Sequence, residues 1–234
     1  MVRRIEHIAL LLAPPVAGVA ILASLLAVFF WVPTDAGLGL SQRIFYYHVP
    51  SASMSFLAFA VAGGASALFL KTGGDDWDHA AHAGVRVGMT FATILLGTGM
   101  VWARTAWGTW WTWDARLTTF LVLWLVFATY LLLRGMARGN EMAPRYAAVL
   151  AVVGALNIPL VMMATRLWRT IHPQVVRNPE GGISDPAMQA TFGLCMVAFL
   201  VLFTWLWALT VRMLRLSARA ELLTEAAYEA EGAS

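Results

Sequence analysis

Apolar residues gather into six runs, at about residues 8–31, 52–70, 85–103, 117–133, 146–165 and 187–211, with most charged residues between them. Each run is long enough, or nearly so, to cross ~30 Å of hydrocarbon as a helix, which takes about 20 residues. The pattern predicts an all-α polytopic membrane protein, a single domain over residues 1–234 with six transmembrane helices. Pro14 and Pro15 predict a kink near the start of the first run, and Pro159 with Asn157 a break or kink in the fifth. Gly63, Gly64, Gly97 and Gly99 are expected at close helix–helix contacts. Residues 212–234 form a short tail, and its Ala- and Glu-rich end after Arg219 reads as frayed or weakly helical.

Composition agrees with a membrane protein. The 234 residues are 60% hydrophobic and 12% charged, with a mean hydropathy of +0.70, which excludes an ordinary soluble domain. The net charge of +3 comes mostly from arginine, since Lys71 is the only lysine. These are loop arginines, and no nucleic-acid partner is expected; the surrounding partner is membrane lipid. Arg3, Arg4 and Glu6 before the first run resemble a signal peptide only loosely. That run is long and lacks a clear small-residue cleavage site, so it stays a membrane helix.

Loop charge sets orientation. With the N-terminus cytoplasmic, that side carries nine basic residues: Arg3, Arg4, Lys71, Arg134, Arg138, Arg145, Arg212, Arg215 and Arg219. The other side carries six: Arg43, Arg104, Arg116, Arg166, Arg169 and Arg177, with Arg86 unassigned. The bias predicts cytoplasmic termini and a cytoplasmic tail. The outer arginines are unusually many and need a reason of their own.

Absent residues exclude some functions. None of the six runs has a central Asp or Glu, which argues against an ion-coupled carrier. Lys71-Thr72 follows Leu70 and no glycine loop, so this chain is not expected to hydrolyse ATP. Cys195 is the single cysteine, a small apolar packing residue. No Cys-x-x-Cys-His motif is present, so a haem here is not held by thioether bonds.

The candidate chemistry lies at residues 107–119, WGTWWTWDARLTT, which hold Trp107, Trp110, Trp111, Trp113, Asp114 and Arg116. If helical, Trp107, Trp110, Trp111 and Asp114 share one face at i, i+3, i+4 and i+7. An aromatic belt at the membrane surface explains indoles alone. It does not explain their spacing or the acid, so the sharper expectation is a flat platform for a large planar ligand.

Strict alternation of six helices puts three connections on one side, carrying His48, residues 107–119 and His172. Pro50 disfavours helix at Val49 and Ser51 is a candidate cap, so His48 is expected at the entrance of the second helix. His172 lies just past the fifth, before Pro173. Two imidazoles beside an aromatic platform suit bis-histidine ligation of haem. Arginines suit its two propionates, with Arg43, Arg166 and Arg169 as candidates beside Arg116. His79 and His82, beside Asp75, Asp76 and Asp78 in an inner loop, read as a solvated turn with no metal site.

WGTWWTWDARLTT resembles the WWD motif of the haem-handling proteins. The length and six-helix pattern resemble the cytochrome c maturation protein C (CcmC) family, heme exporter protein C, of the bacterial inner membrane, from the first helix to the sixth. His48-Val-Pro-Ser-Ala and Trp168-Arg-Thr-Ile-His172-Pro resemble the family's two periplasmic haem-ligand segments. Ser53 departs from the Trp expected there.

The resemblance implies that haem b is held non-covalently at the periplasmic face by His48 and His172. Residues 104–119 would form the periplasmic segment, and haem would pass to a periplasmic chaperone, CcmE, for c-type cytochromes. Implied partners are the ABC-type pair CcmA and CcmB and a single-helix subunit, CcmD, so ATP would be used by a partner. Haem-lyase-like attachment activity stays open at this point. The alternatives are a b-type cytochrome subunit, which usually keeps its ligands within bundle helices, and a non-haem small-molecule transporter.

Overall fold

The computed structural model describes residues 2–136, 140, 142–168, 172, 183 and 185–232, with side chains described from residue 10. Helix α1 (Val2–Leu26) ends in a π turn, Ala27–Trp31, and runs unbroken through Pro14 and Pro15. A 3-10 turn, Leu40–Ile44, leads into α2 (Phe45–Thr72). Helices α3 (Asp75–Trp107), α4 (Ala115–Met136), α5 (Ala143–Leu156), α6 (Ile158–Leu167) and α7 (Pro186–Gly232) follow. Together α5 and α6 make the fifth of six spans long and apolar enough to cross a membrane. The protein is an all-helical, multi-pass membrane protein.

The break in the fifth span falls where expected. Asn157 N–H bonds back to Gly154 O at 3.0 Å in a tight turn. Pro159 then has no N–H to continue the α5 ladder, but it fits the first turn of α6.

Helix α2 is the centre of the bundle, packed on α3, α5 and α7. Phe59 of α2 and Phe127 of α4 stack in parallel, 3.9 Å apart with 5° between planes. Two glycines make room for the pair. A Cβ at Gly88 would lie 2.8 Å from Phe59 Cε1, and one at Gly154 would lie 2.9 Å from Phe127 Cε2. Without a hydrophobic drive between helices in lipid, such close packing does much of the work of association. Gly63 is also a close contact, against Ala155 and Ala151 of α5, as expected. Gly64 and Gly97 are not: a Cβ there would meet nothing within 4 Å among the described residues.

Two expectations are corrected here. The tail does not fray after Arg219: α7 continues to Gly232 as one 47-residue helix, roughly 70 Å long at 1.5 Å per residue. Its Ala, Glu, Leu and Arg residues are strong helix formers, which sustain it beyond the hydrocarbon. The acidic segment 75–78 is the first turn of α3, not a loop, where carboxylates favour the positive end of the helix dipole. Asp78 there accepts two hydrogen bonds from Arg134 of α4, each 2.9 Å, with both side chains largely buried.

Candidate functional site

Residues 107–119 do not form one helix. Trp107 is the last residue of α3, and Gly108 closes it at φ 75°, a left-handed conformation that glycine adopts without steric cost. Arg104 Nη1 donates to Gly108 O, which holds the exit. Residues 109–114 are irregular, and α4 starts at Ala115. The face shared by Trp107, Trp110, Trp111 and Asp114 at helical spacing therefore does not exist. A left-handed glycine ends the helix directly after Trp107, the first residue of the pattern.

Asp114 is an N-cap. Its Oδ1 accepts from Arg116 N at 2.9 Å, and its backbone O accepts from Thr118 N at 2.9 Å. It satisfies donors that the first turn of α4 leaves open.

His48 lies inside α2, which begins at Phe45, so it is not before the helix as Pro50 suggested. Pro50 falls early in the helix, where one lost bond is tolerated. Ser51 does not cap: its hydroxyl donates back to Tyr47 O at 2.7 Å. The His48 ring is fixed by α3. Its Nδ1 is 3.1 Å from Thr98 Oγ1, and a Cβ on Gly99 would come within 3.0 Å of its Cε1. Gly99 is thus a close contact between α3 and α2, as expected, and the group it makes room for is this ring.

His48, Trp107, Trp110, Trp111, Arg116 and His172 line one cavity of about 120 Å³. Its floor is apolar, with Ala52 and Phe56 from α2, Leu95 and Leu96 from α3, Phe120 from α4 and Val161 from α6. The aromatic group is assembled by tertiary packing: Trp102 meets Trp107 edge to face at 5.0 Å, and Trp111 meets Trp113 at 5.9 Å. Trp111 lines the cavity, and its indole N–H is buried with no partner among the described residues.

A family model described as heme exporter protein C (CcmC) matches residues 2–225. The chain belongs to that family. It is 34% identical over 181 residues to heme exporter protein C of Bradyrhizobium diazoefficiens, covering 77% of this chain and 69% of that protein. It is 33% identical over 186 residues to the same-named protein of Escherichia coli K12, covering 80% and 75%. With that of Haemophilus influenzae the identity is 30% over 185 residues, covering 78% and 75%.

In this heme exporter protein C family member the remaining candidates separate. Trp113 is 77% exposed and lies outside the cavity lining. Arg43 sits over the Phe29 ring, 5.8 Å from its centroid. Arg166 is exposed in the last turn of α6. Neither arginine lines the cavity, and Arg169 lies outside the described residues.

Sequence reasoning missed Thr98, Trp102, Phe56, Phe120 and Val161. Only Thr98, a hydroxyl between Gly97 and Gly99 in an apolar run, carried a signal. At the far end of α3, His82 is no solvated residue. Its Nδ1 lies 3.2 Å from Arg134 Nη2, within the Asp78 pair.

Proposed function

We propose that this protein holds haem b non-covalently at the periplasmic face of the inner membrane and delivers it to a periplasmic chaperone during c-type cytochrome biogenesis. The observation that carries the reading is the convergence of two histidines, four tryptophans and an arginine on one cavity. The donor set fits the group. Imidazole nitrogens suit iron, indole faces suit the macrocycle, and the Arg116 guanidinium suits a propionate. His48 and His172 are the axial ligands in this reading. Arg116 is the propionate partner favoured over Arg43 and Arg166, because it alone of the three lines the cavity.

The cavity is small beside the ~300–1,000 Å³ of pockets that engulf a drug-sized ligand. Most of a porphyrin would then lie outside the bundle, against Trp110, which is 55% exposed. That suits a cargo to be collected by a periplasmic partner. The chaperone is CcmE in this reading, and CcmA, CcmB and CcmD are the membrane and ATPase partners. The relatives' name, heme exporter protein C, agrees with the reading.

The test is the haem spectrum of the purified protein. His48→Ala and His172→Ala should each lose or weaken haem and shift the Soret band, while His79→Ala should do neither. Unchanged spectra in both outer variants would remove these residues as ligands. Reporter fusions test the face: the C-terminus should read cytoplasmic and the 109–114 loop periplasmic, and the reverse pattern would overturn periplasmic delivery.

A further inference from the structure

We infer that Thr98 is the positioning residue for His48: its hydroxyl accepts the Nδ1 proton, fixes the tautomer and leaves Nε2 as the nitrogen free to bind iron. The inference rests on the haem-ligand reading of His48. The geometry favours one direction for the hydrogen bond. Thr98 Oγ1 lies 2.7 Å from Ile94 O and 3.2 Å from Leu95 O, backbone acceptors that take its one proton. The oxygen therefore meets His48 Nδ1, at 3.1 Å, with a lone pair. An N–H must lie on Nδ1, and the imidazole keeps its lone pair on Nε2.

Gly99 supports the same ring from its Cε1 edge, where a Cβ would stand only 3.0 Å away. One turn of α3 thus sets both the tautomer and the tilt. Metal-binding histidines commonly use a carboxylate for this, which raises ligand basicity. A neutral hydroxyl already donating to a carbonyl raises it less, so the iron bond stays weaker. That suits haem in transit more than haem held for life.

Two measurements test this. The first needs no haem: ring-15N-histidine spectra of the haem-free protein in lipid nanodiscs, with the His48 signals assigned by comparison with His48→Ala. The wild type and Thr98→Ser should show Nδ1–H, and Thr98→Val should lose that preference. Thr98→Val keeps the branched shape and deletes only the hydroxyl. The second is haem dissociation. Thr98→Val should release haem about 10- to 100-fold faster, as when a ligand loses its hydrogen-bond partner, and Thr98→Ser should restore wild-type retention.

An Nε2–H tautomer in the wild type would overturn the inference. So would a Thr98→Val protein with unchanged tautomer and unchanged release, provided His48→Ala loses haem. If His48→Ala keeps its spectrum, the ligand reading is what fails, and the haem-free spectra still judge the hydrogen bond by itself.

Discussion

Helix α3 meets His48 of α2 near one end and carries His82 near the other, and the two are held in opposite ways. Near Trp107 the partner of His48 is the Thr98 hydroxyl, which on the inference above accepts from Nδ1. Near Asp75 the partner of His82 is Arg134, a group that only donates, so His82 Nδ1 accepts and its proton sits on Nε2. There Asp78, Arg134 and His82 satisfy one another across α3 and α4, which makes a clasp. At the other end His48 and Trp111 line the cavity, and the Trp111 indole N–H has no partner among the described residues. The two histidines thus differ in their partners: His82 joins an ion pair between two helices, and His48 meets a hydroxyl beside a cavity. A closed network holds helices together; an open one recognises a ligand.

The comparison can be broken. The largest expected effect is at the clasp. Asp78→Ala should destabilise the haem-free protein by about 3 kcal/mol, the low end of the ~3–5 kcal/mol for a broken buried pair, because the side chains of Arg134 and Asp78 remain 15% and 14% exposed. Thermal unfolding in detergent measures it, and haem content per folded protein should stay constant. Lost haem without lost stability would mean that the two ends are not separate devices.

Asp114 sharpens the other end. As a cap it should cost about 1 kcal/mol when replaced by Ala and little when replaced by Asn, which caps equally well. Haem loading of the chaperone should therefore fall in Asp114→Ala and recover in Asp114→Asn. If Asn is as poor as Ala, the carboxylate charge itself meets the haem or the chaperone.

The smallest effects are expected from the indoles. Trp110→Ala and Trp111→Ala should each weaken haem retention by roughly 0.5–1.5 kcal/mol, the scale of one aromatic contact, and lower chaperone loading more than haem content. Trp113→Ala should leave retention unchanged, since that ring lies outside the cavity. Equal losses at all three, read from haem content beside haem attached to the chaperone, would merge Trp113 into the same surface.

The long apolar runs determined the six spans, because hydrocarbon admits few other structures for a chain of this pattern. Asn157 and Pro159 marked the break in the fifth span, because proline cannot donate to the ladder wherever it stands. Alternation of crossings put His48, the tryptophans and His172 on one side. These properties are local or simply additive along the chain. The tertiary structure decided that the tryptophan segment is a loop hung from Gly108 and Asp114, and that its indoles meet through folding and not through helical spacing. It also decided which glycines pack: Gly63 meets α5, Gly99 meets a histidine, and Gly64 meets nothing among the described residues. Thr98 became legible only when α2 was laid against α3, 50 residues away in the chain. Which nitrogen of a ring carries the proton depends on the group across the interface, and that neighbour is chosen by packing.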